Sequence, residues 1–247
     1  MSSNAIKKND ALAAARKSMY RAFLLDTAEK VFAQHGFEGT KMQEVAQEAS
    51  VSLSTLYSTF GNKAAIHQAV HTQRLKELFD EVARNGMLSA GQPLLIRMLA
   101  GTATWIRFHM KHPDYLRMHL REGHAWTNLD SLRSADERAA WRRGFDWNVR
   151  VTQQLMDEGW LRQDDPALVT RMSVAMQQAR LAVWVERDMP DNAEDVVRYL
   201  LRLFLNTFAA DDRRDEVFEV GLAGFYEFER TLKGDPLQPS TREIHDA

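Results

Sequence analysis

Eight histidines and no cysteine set the first limits on the chemistry open to this chain. His67 and His71 stand four residues apart, and His109, His112, His119 and His124 fall within sixteen residues, spacings that could gather imidazoles around a metal ion. No HExxH motif accompanies them. Without cysteine there is no thiolate ligand, disulfide, cysteine nucleophile or thiol redox sensor. A glycine-rich phosphate loop and a nucleophile elbow are both missing, and the carboxylates are scattered over polar helix faces. Neither an enzyme nor a bound cofactor is expected, and a helical metal-binding protein is the remotest alternative.

A different chemistry is concentrated in "SVSLSTLYSTFGNK", residues 50–63. Seven of its fourteen residues carry a hydroxyl, and Lys63 is its one charge. Ser and Thr are mediocre helix formers, because their side chains compete for backbone hydrogen bonds. Yet Val51, Leu56 and Phe60 have helical spacing. On a wheel of 100° per residue, Leu56 and Phe60 point one way, while Ser54 and Ser58 lie opposite, flanked by Thr55 and Tyr57. The result is a short helix with a narrow, uncharged, hydrogen-bonding face.

The neighbouring residues supply the signals that would position this face. Ser52 can cap the amide of Thr55, with Val51 and Leu56 as a hydrophobic staple, and Asn62 suits the cap of the helix that follows. One helix earlier, Thr40 and Gln43 fit a capping box, and Met42, Val45, Ala46 and Ala49 make one apolar face. Before that, Leu24, Leu25, Ala28, Val31 and Phe32 line a first helix ending at "QHGF". There Gly36 suits a left-handed position and Phe37 can fold back on Phe32. Two short helices joined through Ala49-Ser50-Val51 have the dimensions of a helix-turn-helix.

The stretch "LLDTAEKVFAQHGFEGTKMQEVAQEASVSLSTLYSTFGNKAAI" resembles the DNA-binding module of the TetR/AcrR-type transcriptional regulators. Phe32-Ala33, Gly36-Phe37, Thr40, Val45-Ala46, Val51-Ser52, Thr55-Leu56-Tyr57, Phe60 and Asn62-Lys63 carry the resemblance, which covers roughly residues 20–70. It implies that the third helix enters the major groove of a double-stranded operator. Tyr57 and Lys63 would then hold phosphates, Thr40 and Lys41 would touch the backbone, and Ser54, Thr55, Ser58 and Thr59 would face base edges or phosphates. Ser52 is either a cap or a contact, Leu53 either core or a reader of a thymine methyl, and Tyr57 either a packing residue or a contact. Three positions depart from the family pattern. Ser50 stands where glycine is common, Leu53-Ser54 precede the Thr-Leu-Tyr run, and Ala64 replaces a common acidic residue. Ser50 must adopt or avoid a left-handed conformation, at a cost of about 1 kcal/mol.

Charge and composition agree with a polyanion-facing N-terminus. Residues 1–63 hold eight Lys/Arg against six Asp/Glu, within a chain of net charge −2. The N-terminus shows no apolar signal region and no window is apolar enough for a membrane span, so a cytoplasmic protein is expected. All six prolines fall at segment edges and β-branched alternation is missing, which predicts an all-α protein. Helices are expected at 18–35, 41–48, 53–59, 63–84, 93–111, 114–123, 134–158, 166–187, 193–209 and 213–233. The expected organisation is a flexible basic arm (1–17), a helix-turn-helix domain (18–66), a helical effector-binding and dimerisation domain (67–233) and a polar tail (234–247). "NGMLSAGQP", residues 85–93, is the longest turn-rich interruption before that tail.

The larger domain holds all six tryptophans. Aromatic and methionine stripes at helical spacing make a solid core far more often than a pocket. The resemblance implies an effector pocket, for which the candidates are Trp105, His109, Met118, His119, Trp126, Trp141, Phe145, Asn148, Met172 and Met176. It also implies a homodimer formed by the paired helices near 166–187 and 193–209. The expected function is a ligand-responsive repressor released from a palindromic operator by a small, largely apolar effector. The alternative is a DNA-bound adaptor or architectural protein whose C-terminal domain binds a protein partner.

Overall fold

The computed structural model describes residues 2–121 and 135–233. The candidate Trp126, along with His124 and the expected tail at 234–247, lies outside the described residues. Among the described residues the structure is helical, apart from turns and one isolated bridge between Leu161 and Ala209. No described helix is long and apolar enough to cross a membrane.

Helix α1 (Ser2–Gly39) starts well before the position 18 that its apolar spacing predicts, so the expected basic arm is drawn as helix. No Pro or Gly precedes Gly36, and "ALAAAR" is made of strong helix formers. At Gly36 the backbone turns to φ 71°, ψ 170°, a region that favours glycine, and the continuous helix ends. Phe37 then folds back as expected, its ring stacked 6.2 Å from that of Phe32. Helices α2 (Met42–Glu48) and α3 (Leu53–Phe60) follow, and then the long α4 (Lys63–Leu88). Leu24, Ala28, Phe32, Val45, Leu56 and Ile66 form the centre of their shared core.

The interruption predicted at 85–93 is shorter than its composition suggests. α4 runs on through Gly86, and Asn85 donates from Nδ2 to Thr104 Oγ1 at 2.8 Å, so a tertiary partner holds the last turn. After the turn come α5 (Leu94–Lys111), α6 (Pro113–Arg121), α7 (Ala135–Asp157), α8 (Pro166–Glu186) and α9 (Ala193–Phe208). The last helix, α10, joins a short α turn (Arg214–Glu216), a π-helical stretch (Val217–Ala223) and a final α segment (Gly224–Lys233). Two glycines let it lie close against α5. A Cβ at Gly221 would sit 2.5 Å from Leu95 Cδ2, and one at Gly224 would sit 2.9 Å from Ile96 Cδ1.

The two parts of the chain share packing. Phe108 from α5 and Tyr115 and Met118 from α6 belong to the same buried cluster as Leu24, Phe32 and Ile66. The second cluster is built from α5, α7, α8, α9 and α10 around Leu99, Ile106, Leu155, Leu181, Leu201 and Phe225. The division expected at 66–67 falls inside α4, whose first half packs on α1 and whose second half meets α5.

Candidate nucleic-acid interface

The turn that aims α3 is built by backbone hydrogen bonds. α2 ends with Ser50 N–H on Gln47 O (3.0 Å) and Val51 N–H on Ala46 O (2.9 Å), the paired bonds of a Schellman motif. That motif demands a left-handed residue, and Ser50 supplies it at φ 54°. Ser52 then caps α3 by accepting from Thr55 N at 3.0 Å, and Asn62 caps α4 by accepting from Ala65 N at 2.8 Å. Both caps stand as the sequence predicts.

With its ends fixed, α3 buries Leu56 and Phe60 and exposes Ser54, Tyr57 and Ser58. Thr55 and Thr59 are half-buried at the edges of that face. Ser52 Oγ lies 2.8 Å from Ser54 Oγ and 2.7 Å from Thr55 Oγ1, while Ser58 and Thr59 each donate to Thr55 O. Ser58 and Thr59 thus spend their hydrogens on the helix and keep acceptor lone pairs for a ligand. Leu53 is half-buried and packs on the N-terminal core, which answers the question its wheel position raises.

Two expected backbone contacts sit differently. Thr40 is buried, at 1% exposure, and its hydroxyl donates to Gly36 O at 2.7 Å, so its side chain closes the end of α1 instead of facing outward. The α2 cap falls one residue later, on Lys41, whose N–H donates to Glu44 Oε2 at 2.9 Å in place of the expected Thr40–Gln43 pairing. The Lys41 side chain is exposed beside it. Lys63 is half-buried, donating to Phe37 O (2.7 Å) and Glu38 O (3.2 Å) with its ammonium 4.6 Å from the Phe37 ring centre. Its three hydrogens allow those two bonds and leave one. Arg21, absent from the sequence candidates, joins this end of the molecule. Its guanidinium lies 4.4 Å from the Phe60 ring centre and donates to Thr59 O at 3.4 Å. The available signal was a basic residue one turn ahead of Leu24 and Leu25 on α1.

A buried ion cluster fastens α4 to α1. Arg74, 9% exposed, donates from Nε to Glu29 Oε2 at 2.6 Å, from Nη2 to Asp26 at 2.8 Å and from Nη1 to Glu77 at 2.7 Å. Burial pushes the Glu29 carboxyl above its ordinary range despite Arg74 beside it. Burial also opposes the Arg74 charge, but the hydrogen bonds and charges of Glu29 and Glu77 outweigh it and hold the guanidinium protonated.

Behind this module lies a cavity of about 290 Å³. α4 contributes Leu78, Phe79 and Val82, and α5 contributes Met98, Gly101, Thr102 and Trp105. α7 adds Trp141, Gly144, Phe145, Trp147, Asn148 and Thr152, and Thr170, Ser173, Val174 and Gln177 of α8 and Phe204 of α9 complete the described lining. Of the sequence candidates, Trp105, Trp141, Phe145 and Asn148 are brought together here.

The others go elsewhere. His109, Met118 and His119 are buried where α5 and α6 pack toward the N-terminal module. His109 Nδ1 lies 2.9 Å from Trp105 O, and the His119 ring packs 4.6 Å from that of Tyr115 and 5.0 Å from that of His71. Burial pushes the His109 pKa down to about 4. Met172 is exposed on the far side of α8, and Met176 is half-buried against the C-terminal core. Among the described residues no three His, Asp or Glu side chains are grouped to hold a metal ion. Leu78, Phe79 and Val82 escape sequence reasoning because cavity wall and solid core use the same residue types at the same spacing.

Residues 24–70 match the family described as "Bacterial regulatory proteins, tetR family". Two HTH-type transcriptional regulators of Bacillus subtilis (strain 168) are similar to part of the chain. YuxN is 27% identical over 100 residues, 40% of this chain and 34% of YuxN. YhgD is 36% identical over 58 residues, 24% of this chain and 30% of YhgD. The chain therefore spans about a third of the length of these relatives. The ketosteroid transcriptional regulator KstR2 of Mycobacterium tuberculosis has a similar fold, with a TM-score of 0.65 at 20% identity, covering 76% of this chain and 94% of KstR2.

Proposed function

We propose that this chain, which carries the helix-turn-helix module of the tetR family of bacterial regulatory proteins, acts as a homodimeric repressor released from a palindromic operator by a small, largely apolar effector. The observation that carries the reading is α3 itself. Capped by Ser52 and aimed by the Ser50 turn, it offers Ser54, Tyr57 and Ser58 to a groove while Leu56 and Phe60 anchor it. In this reading Thr55 and Thr59 border the contact, and Tyr57, Lys41 and Lys63 meet phosphates.

Support for the dimer comes from α8. Leu181 and Trp184 face the core, yet Leu168, Met172, Ala175, Ala179 and Val183 form an exposed apolar stripe along the other side. A helix that is apolar on both sides is ordinarily covered on both. Pairing of this stripe with its copy would set two α3 helices on one duplex, with half-sites about 34–36 Å apart.

α4 links the cavity to the DNA end. Leu78, Phe79 and Val82 line the cavity, Arg74 grips Glu29 and Asp26 on α1, and Lys63 holds the end of α1. Lys63 and Leu78 are about 22 Å apart along the helix axis. An occupant that moves the C-terminal half of α4 therefore carries the whole reading module with it. A full switch requires the ligand to favour the released form by about 5.5 kcal/mol.

The test is fluorescence anisotropy of the full chain on duplex DNA from upstream of its own coding sequence, with and without small apolar compounds. Tight, salt-dependent binding weakened by at least one compound is the expected result. Tight binding that no compound alters would favour the adaptor alternative instead.

A further inference from the structure

We propose that the stretch of α1 ahead of the three-helix core is a second DNA contact, with Lys17 and Arg21 gripping backbone phosphates beside the groove that α3 enters. The inference rests on the DNA-binding reading above and adds to it a contact made outside the helix-turn-helix.

Three observations converge. Residues 11–20 are helical yet exposed at every position, so this part of α1 has no buried face. Such a helix gains nothing from packing and is marginal by itself. Its charge indicates the partner it suits. Residues 2–21 hold Lys7, Lys8, Arg16, Lys17 and Arg21 against Asp10 alone, in a chain whose net charge is −2, and that excess fits a polyanion. Phase and anchorage then aim the stretch at the duplex. Arg21, Leu24, Ala28 and Val31 all fall within about 40° of Lys17 around the helix, and the last three are buried in the N-terminal core. The side of α1 that enters the core therefore turns basic where the core ends. Arg21 ties that side to the end of the reading helix, its guanidinium 4.4 Å from the Phe60 ring centre and donating to Thr59 O at 3.4 Å. Beyond it, residues 2–20 run on for about 28 Å, with the positive end of the helix dipole at their tip. Contacts of this kind raise affinity and leave the choice of sequence to α3.

The test is anisotropy of the full chain on the duplex from upstream of its own coding sequence, repeated between about 50 and 200 mM KCl. Lys17→Gln should flatten the slope of log affinity against log salt by about 0.9 per bound subunit, and Lys17→Gln with Arg21→Gln by about 1.8. Arg21→Lys keeps the charge while removing the guanidinium from Phe60, so it should retain the natural slope. Lys17 is exposed, so its variant reads the contact without disturbing the core. Arg142→Gln with Arg143→Gln, exposed on α7, removes as much charge and should leave the slope unchanged. Hydroxyl-radical footprints should extend past the half-sites for the natural chain and shorten in the Lys17 and Arg21 double variant. An unchanged slope and footprint in that double variant, or an equal loss in the α7 control, would overturn the inference while leaving the reading by α3 intact. The stretch would then belong to a protein covering Leu12, Met19 and Phe23, which are exposed on its other side. Failure of the natural chain to bind the duplex tightly would remove both.

Discussion

Around α3 the caps, the turn and the hydroxyl hydrogen bonds are local, whereas around the cavity the wall is assembled from five helices. Ser52 caps Thr55 three residues on, Ser58 and Thr59 return to Thr55 O, and the Ser50 turn closes on Gln47 and Ala46. The cavity instead draws Phe79 from α4, Trp105 from α5, Trp141 from α7, Gln177 from α8 and Phe204 from α9. Local hydrogen bonds fix the exposed face of α3 without help from distant parts of the chain. A wall contributed by separate helices can respond when one of them moves. The difference teaches why the buried Arg74 cluster matters, since it ties α4, which lines the cavity, to α1 of the N-terminal module.

The sharpest way to break that link is Arg74→Met, which strands Glu29 at 5% exposure without its cation. Urea denaturation should show a loss of about 3–5 kcal/mol, most of it recovered when Glu29→Met is added. A negligible loss would mean that α4 and α1 are held by apolar contact alone.

The seam between the two regions should also respond to acid. His109 titrates near 4 when folded, below the ordinary value of 6.5, because burial disfavours its charged form. Its contribution is complete above 6.5 and is lost as the pH falls toward 4, since the unfolded chain takes up the proton first. Between pH 7 and pH 5 that loss is about 2 kcal/mol. His112, also shifted down by burial, adds in the same direction. Denaturation at the two pH values should show the loss in the natural chain and a flatter response in His109→Gln.

The local construction of α3 predicts smaller, opposite effects at neighbouring residues. Ser52→Ala should lower stability by about 1 kcal/mol through loss of the α3 cap. Ser50→Gly should raise it by about 1 kcal/mol by relieving the left-handed conformation. Thermal unfolding followed by circular dichroism separates the two signs. The smallest effect belongs to the cavity. Gly101 lies inside α5, and a Cβ there would meet nothing within 4 Å. Gly101→Ala should therefore stabilise by about 0.5–1 kcal/mol in the same melts, while a destabilisation would mean that the wall is tighter than its geometry.

What could be read from the sequence follows the same contrast. The caps at Ser52 and Asn62, the break at Gly36 and the buried pair Leu56 and Phe60 all depend on residues a few positions apart, so their spacing carries them. Thr40 shows where that reading stops. Its hydroxyl had a nearer acceptor at Gly36 O, and the cap moved to Lys41. For the cavity, Trp105, Trp141, Phe145 and Asn148 were recognisable by type. His109, His119 and Met118 have the same character but turn toward the N-terminal core, because α6 packs on α1. Nothing in their spacing encodes that choice.

The most direct test of the account is selection of bound duplexes from random DNA by the full chain. A palindrome should emerge, its half-sites centred about 10–10.5 base pairs apart or a multiple of that. Tyr57→Ala or Ser58→Ala should relax or weaken the selection without altering the fold. Recovery of DNA with no common sequence, or of an unchanged palindrome from both variants, would contradict the assignment of α3 as the reading surface.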